Sequence, residues 1–269
     1  MAETAVAPVI RVRDLDSHYG NHQILTGINL EVWPGEIMVI MGHSGSGKTT
    51  LFRHLLGLKP PSAGTIEVLG QDIAGMDRKA LYGLRRRLGV AFQNGALFSA
   101  LNVRDNVALP LREHTRLDEQ TISIMTRMKL EFMRLAEFEE LMPSQLSGGM
   151  LKRAGLARAV IMDPQVLFFD EPSAGLDPVT SAELDQLILN LRRAMNMTVI
   201  IITHELHSVF SVADRITVMD RGRQIVTGTP DEVRASTDRR VVGMLNRQPD
   251  TENFDADAYL DRLTRQFPG

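Results

Sequence analysis

The sequence predicts an α/β fold with a parallel sheet at its centre. Three short apolar runs are nearly continuous, a pattern typical of strands buried on both faces of a sheet. They are IMVIM (37–41), VLFF (166–169) and TVIII (198–202), and LGVAF (88–92) indicates a fourth strand. Residues 184–195 place apolar side chains on one helical face. Strands that alternate with helices favour a doubly wound α/β core.

Other stretches of the chain depart from this pattern. Residues 9–32 and 65–73 alternate apolar and polar residues between turn signals, which predicts a small antiparallel sheet in the N-terminal part of the chain. Residues 215–228 have the pattern of a hairpin. From about 94 to 160 helical signals dominate, so we expect a helical subdomain inserted into the core.

These signals place one large domain over residues 9–235 and a C-terminal extension over residues 236–269. Within the extension, four apolar or aromatic residues have the spacing of a helix: Tyr259, Leu260, Leu263 and Phe267. The extension is therefore expected either to dock on a partner subunit or to fray as a free terminus.

Composition excludes several classes of function. The chain has 269 residues, and 30 basic against 33 acidic residues leave a net charge of −3, which argues against a nucleic-acid binder. It has no cysteine, so disulfides, thiolate catalysis and cysteine-bound zinc are excluded. No signal peptide is predicted, and the apolar runs are far shorter than the roughly 20 residues of a membrane span. A membrane role would require a partner.

A phosphate-binding loop is predicted at GHSGSGKT (42–49), which fits the pattern G-x-x-x-x-G-K-[ST]. A predicted strand precedes it and a predicted helix follows, a context that a chance glycine-rich turn would lack. The glycines let backbone N–H groups approach phosphate, and the start of the helix adds about half a positive charge. Lys48 is expected to bridge the β- and γ-phosphates, and Thr49 to bind Mg²⁺. The predicted nucleotide contacts are Gly42, His43, Ser44, Gly45, Ser46, Gly47, Lys48, Thr49 and Thr50.

VLFFDE (166–171) supplies two adjacent carboxylates where a predicted strand ends. Open α/β sheets bind ligands at this edge. Asp170 is expected to hold Mg²⁺ through water, and Glu171 to orient or deprotonate the attacking water. A pair of acids at a strand end is common, but together with the phosphate-binding loop it predicts hydrolysis of ATP or GTP.

LSGGM (146–150) identifies the class of nucleotide hydrolase. Its glycines could merely shape a turn, or they could leave backbone N–H groups free to bind phosphate at a helix start. Ser147 lies 23 residues before Asp170, at the end of the helical segment. This order resembles the ABC (ATP-binding cassette) ATPase family, whose signature is LSGGQ. The resemblance implies a RecA-like parallel-sheet core, an N-terminal antiparallel β subdomain and a helical subdomain.

The resemblance also implies roles for further residues. Ser147, Gly148 and Gly149 would bind the γ-phosphate of ATP held by the opposite subunit of a homodimer. Four other positions match the family's order: Tyr19 would stack on adenine, Gln93 would contact Mg²⁺, Asp177 would contact the partner subunit, and His204 would sense the γ-phosphate. Met150 replaces the family's glutamine and cannot make its polar contacts. We expect activity to survive, because Ser147, Gly148 and Gly149 keep the backbone donors and because Lys48, Glu171 and His204 are present.

Residues 95–115 and MPSQLSGG (142–149) are similar to the ATPase subunits of phospholipid-trafficking transporters of the MCE type. This implies a peripheral protein on the cytoplasmic face of the bacterial inner membrane. Its partners would be an integral-membrane permease, an MCE-domain lipid-binding protein and a STAS-domain protein. Leu97, Phe98 and Leu101 either meet the permease or pack within the helical subdomain. The alternatives are a transporter ATPase for another substrate, such as amino acids, and a soluble ABC ATPase that acts on DNA or ribosomes.

Overall fold

Strands and helices alternate along most of the computed structural model, which describes residues 6–248. The strands are β1 (Ile10–Tyr19), β2 (His22–Val32), β3 (Ile37–Gly42), β4 (Ala63–Val68), β5 (Gln71–Asp72), β6 (Leu88–Ala91), β7 (Val166–Asp170), β8 (Thr198–Thr203), β9 (Arg215–Asp220) and β10 (Arg223–Gly228). The helices are α1 (Lys48–Leu55), α2 (Arg78–Arg85), α3 (Val103–His114), α4 (Glu119–Phe132), α5 (Gly148–Val160), α6 (Pro178–Met195), α7 (Leu206–Val212), α8 (Pro230–Arg234) and α9 (Arg239–Leu245). Two 3-10 turns, Ala136–Phe138 and Pro143–Gln145, lie between α4 and α5.

A six-stranded sheet forms the centre of the described part of the chain, in the order β10-β9-β3-β8-β7-β6. Neighbouring strands from β9 to β6 are parallel, and β10 joins the edge as the antiparallel half of a hairpin with β9. Every residue of β3 and β8 is buried, which explains their continuous apolar sequence. The predicted parallel α/β core is confirmed.

The two faces of this sheet belong to two separate apolar cores, because successive side chains along a strand point to opposite faces. Val39, Phe169 and Ile201 pack in one core with residues of α3, α5 and α6. Ile40 and Phe168 pack in the other with residues of α1 and of the antiparallel sheet β2-β1-β4-β5. The predicted antiparallel sheet is thus present and covers one side of the parallel sheet.

Helices α3, α4 and α5 occupy the chain between β6 and β7. All three begin at short polar residues whose side chains accept a backbone N–H of the first turn: Asn102 before α3, Asp118 before α4 and Ser147 before α5. Within residues 6–248, no helix has both the length and the apolar character needed to cross a lipid bilayer. Tyr259, Leu260, Leu263 and Phe267 lie outside the described residues.

Candidate nucleotide-binding site

The candidate site lies at the carboxyl edge of the parallel sheet, where open α/β folds place their ligands. Gly42 ends β3, Asp170 ends β7 and Thr203 ends β8, and these three strands are neighbours in the sheet. Gln93 follows β6 at the same edge by two residues. The fold therefore brings together residues that are up to about 160 positions apart in the sequence.

The loop between β3 and α1 has the backbone geometry that phosphate binding requires. Gly45 and Gly47 adopt left-handed φ angles of +79° and +99°, which cost little only for glycine. A Cβ on Gly47 would also lie 2.6 Å from the Cδ2 atom of Leu25. These constraints fix the loop so that α1 begins at Lys48, with its free N–H groups directed toward the cleft.

Lys48 is held inside the loop, with 7% of its surface exposed. Its Nζ atom donates to the carbonyl oxygens of Gly42 at 2.7 Å and His43 at 2.9 Å. Burial lowers the pKa of Lys48, while the carboxylates of Glu171 and Asp170 act in the opposite direction. The ammonium is thus pre-positioned over the loop that the sequence predicts to bind phosphate.

The surroundings of Asp170 also shift the pKa of its carboxyl group. Burial raises its pKa, and the neighbouring charge of Glu171 raises it further, while Lys48 and Arg53 lower it. A cation near Asp170 would replace the hydration that burial removes. This is the electrostatic setting expected of a carboxylate that holds a metal ion together with phosphates.

Glu171 is oriented by the end of the neighbouring strand. Its φ angle is +50°, an unfavourable value for a residue with a Cβ that costs about 1 kcal/mol or more. Its N–H donates to the carbonyl of Ile202 at 2.8 Å. Its carboxylate accepts from the Thr203 hydroxyl at 3.0 Å and lies 2.8 Å from Nδ1 of His204. The side chain is 15% exposed, so it is fixed in direction yet open to the cleft.

An open cleft of about 1080 Å³ contains most of the predicted residues. Those that line it are Gly42, His43, Ser44, Gly45, Ser46, Gly47, Lys48, Thr49, Thr50, Gln93, Asp170, Glu171 and His204. Six residues that sequence reasoning missed also line it: Ile24, Glu205, Leu206, Met244, Arg247 and Gln248. The last three come from the C-terminal extension and belong to no motif, so only the folded chain shows their position.

Tyr19 is not among the described residues that line this cleft. It ends β1 and is 46% exposed. The ammonium of Lys59 lies 4.1 Å from the centre of its ring, and its hydroxyl accepts from Arg53 at 3.3 Å. The ring is therefore held beside α1 by two cations, and its exposure leaves part of it accessible to a ligand.

The residues of LSGGM form a second, separate surface. Ser147 is the N-cap of α5, and its hydroxyl accepts the N–H of Met150 at 3.3 Å. A Cβ on Gly149 would lie 2.8 Å from the side chain of Thr180, so this position needs glycine. The Met150 side chain packs against the apolar core, which explains how a thioether is accommodated there.

Asp177 caps the next helix in the same way. Its carboxylate accepts the N–H groups of Val179 and Thr180, each at 3.0 Å. Hydrogen bonds from the hydroxyl and the N–H of Thr180 lower the pKa of Asp177. In the part of the chain that the structure describes, neither Ser147 nor Asp177 lines the cleft. One chain therefore presents two distinct surfaces, a phosphate cleft and a pair of capped helix starts.

The residues predicted to bind Mg²⁺ fit that ion. Thr49, Gln93 and Asp170 all line the cleft, and they offer a hydroxyl, an amide and a carboxylate oxygen, the kind of donor that Mg²⁺ prefers. Only one of the three is charged, as is usual where phosphates and water complete the coordination of the ion. When bound, the ion would neutralise charge on the phosphates.

This arrangement of sheet, loop and paired carboxylates defines a P-loop nucleotide hydrolase. A family model described as "ABC transporter" matches residues 25–174, more than half of the chain. The chain therefore belongs to the ABC transporter ATP-binding family, whose members hydrolyse ATP, and the family predicted from LSGGM is confirmed.

Relatives and solved structures agree with this family assignment. The chain is 42% identical to the intermembrane phospholipid transport system ATP-binding protein MlaF of Haemophilus influenzae, over 90% of this chain and 92% of that protein. It is 40% identical to the probable ribonucleotide transport ATP-binding protein mkl of Mycobacterium leprae, over 87% of this chain and 67% of that protein. A dimeric structure of the cassette MJ0796 bound to ADP and Pi is 27% identical, with a TM-score of 0.75, and the match covers 82% of this chain and 98% of that one.

Proposed function

We propose that this chain is the ATP-hydrolysing subunit of an ABC transporter that moves phospholipids between the inner and outer membranes. This transport would maintain the lipid asymmetry of the outer membrane. The observation that supports this best is the 42% identity, over nine tenths of both chains, to ATP-binding proteins of intermembrane phospholipid transport systems. In this proposal residues 9–235 form the cassette, with the helical subdomain over about 94–160.

The geometry of the cleft supports the following chemistry. The Glu171 carboxylate, held by Thr203 and His204, accepts a proton from the attacking water. Lys48 and His204 stabilise the charge that develops on the γ-phosphate. Gln93, Thr49 and Asp170 would hold Mg²⁺, and Gln93 also connects the core with the helical segment that follows it. Tyr19 stacks on the adenine ring.

A complete site requires two chains. In one chain Ser147 and Asp177 lie outside the described lining of the cleft, although α5 begins with N–H groups suited to an anion. In a head-to-tail homodimer, Ser147, Gly148 and Gly149 of one subunit bind the γ-phosphate of the ATP held by the other, and Asp177 contacts the partner. Two ATP molecules are enclosed, and closure and reopening of the dimer move the permease.

The permease is proposed to dock in an apolar groove beside Gln93. The groove has a volume of about 620 Å³, and its lining includes Val90, Phe92 and Phe98. Phe98 is 55% exposed, while its backbone N–H and carbonyl are both hydrogen bonded to the buried Asn106 side chain. Leu97 instead packs against the core. The structure therefore gives Leu97 and Phe98 different surroundings, which the sequence alone could not distinguish. A rigid, exposed aromatic ring suits a helix-in-groove contact.

We propose the remaining partners and the location from the resemblance to transporters of the MCE type. We place the chain on the cytoplasmic face of a bacterial inner membrane, bound through the permease. An MCE-domain protein would complete the lipid path, and a STAS-domain protein would bind the helical subdomain. The identity to mkl makes another transported substrate the second candidate, with the same ATP chemistry.

Purification of the tagged chain from its own membranes in mild detergent tests the proposal. We expect co-purification of a permease and an MCE-domain protein, with a glycerophospholipid bound. Phe98→Ser should reduce permease recovery by about tenfold, because it removes apolar area of the order that anchors an interface. The matched control is Leu117→Ser, since Leu117 is 41% exposed and lies between α3 and α4, outside the groove. A permease for another solute, or ribosomes in place of a membrane protein, would contradict the proposal.

A further inference from the structure

The ammonium of Lys152, a half-buried residue of α5, makes an unusual set of contacts. It lies in the second turn of α5, five residues after Ser147. Its Nζ atom donates to the carbonyl oxygens of Pro172 at 2.6 Å and Ala174 at 2.7 Å, and reaches that of Glu171 at 3.4 Å. The three donors of one ammonium thus meet three carbonyls of a single short segment.

The segment that Lys152 holds is the one that follows Glu171 directly. On its other side, the hydroxyl of Ser208 donates to that of Ser173 at 3.3 Å, a longer contact between neutral groups. Hydrogen bonds from a charged donor are about twice as strong as neutral ones. The ammonium is therefore the stronger anchor of a segment whose first residue has the unfavourable φ angle of +50°.

The same helix also contacts the segment after Gln93. Gly155 lies so close to Gly95 that a Cβ on Gly155 would come within 2.7 Å of the Gly95 Cα atom. Arg158 donates to the carbonyl of Gly95 at 3.0 Å. Helix α5 is thus capped by Ser147 and contacts, along its length, both segments that follow the cleft residues Gln93 and Glu171.

We propose that Lys152 is a positioning residue for hydrolysis, whose ammonium fixes Glu171 relative to helix α5. The inference rests on the proposed function, in which Glu171 is the base and the start of α5 binds the partner's ATP. A shift of α5 when that ATP is bound would then reach Glu171 of the same chain through Lys152. The two ATP sites of the dimer would be linked by this contact.

The absence of cysteine from the sequence permits a direct test in the full chain. Lys152→Cys introduces a unique thiol, and alkylation with 2-bromoethylamine converts it into an isostere of lysine with the ammonium restored. We expect Lys152→Cys to lower kcat by about tenfold to a hundredfold, the effect of a small displacement of a catalytic group. KM should stay within about twofold, because ATP contacts are unchanged. Complete alkylation, verified by mass spectrometry, should restore at least about half of kcat.

Lys79→Cys is the matched control, since Lys79 is exposed on α2; its kcat should not change before or after alkylation. A kcat of Lys152→Cys equal to that of the wild type, or a fully alkylated variant that stays slow, would overturn the proposal even if the unfolding temperature falls. The proposed ATP chemistry is the same for any transported substrate, so recovery of a different permease would reject the phospholipid function alone. A wild-type chain that hydrolyses no ATP in its assembled complex would reject both.

Discussion

In the proposed mechanism, Glu171 is the side chain on which hydrolysis depends most directly. Glu171→Gln keeps the shape of the side chain and an oxygen that can accept from Thr203, but the amide cannot accept the proton of the attacking water. We therefore expect kcat to fall by about 10² to 10⁴, the usual contribution of a general base. ATP binding should persist, so the variant should accumulate as an ATP-bound dimer. Phosphate release and dimer mass measure the two effects.

Glu119→Gln is the control for this substitution, because Glu119 forms an exposed ion pair with Arg112 on the helical segment and lies outside the described lining of the cleft. It should hydrolyse ATP at the wild-type rate. Normal phosphate release by Glu171→Gln would show that another group activates the water.

The side chains that the sequence could predict are those whose chemistry lies in a local pattern. The phosphate-binding loop and the pair Asp170 and Glu171 are contiguous motifs, and all of them line the cleft. Lys152 and Arg247 could not be predicted, because their partners are brought close only by the packing of α5 and of the C-terminal extension. The position of Tyr19 beside two cations is likewise set by α1, a different element.

The proposed function gives the start of α5 two roles that can be separated. Ser147→Ala removes the side-chain cap of Met150 and should lower the free energy of unfolding by about 1 kcal/mol. Ser147→Asp keeps a capping oxygen, so stability should stay near that of the wild type. Its carboxylate, however, would face the partner's γ-phosphate, and ATP hydrolysis should fall by about a hundredfold. Urea unfolding and ATPase rates measured on both variants distinguish the roles.

The opposite ranking, with Ser147→Asp active and Ser147→Ala slow, would show that Ser147 matters only as a helix cap. The corresponding control is Asp118→Ser, which changes the cap of α4 to another good capping residue and should alter neither quantity.

The secondary structure was predictable where burial imposes a simple pattern. Strands β3, β7 and β8 are buried on both faces, so their sequences are continuously apolar and easily recognised. Sheet order was not predictable from these runs, because β3 lies between β8 and β9, which come far later in the chain. The way in which the cleft residues after β3, β7 and β8 meet depends on that order.

Because each ATP site of the proposed dimer uses surfaces of two chains, hydrolysis by the purified chain should depend on its concentration. In that dimer the cleft with Lys48 and Glu171 belongs to one chain, and the helix start at Ser147 to the other. Below the dissociation constant of the ATP-bound dimer, the rate should therefore rise with about the square of the chain concentration. In the proposed transporter the permease would hold two copies together, so the rate should rise only linearly. Lys48→Ala, which should lose ATP binding, is the control and should stay monomeric at every ATP concentration.

ATPase assays over a dilution series, with dimer mass measured in parallel, test this dependence on concentration. A rate per chain that stays constant on dilution of a demonstrated monomer would show that one chain contains a complete site.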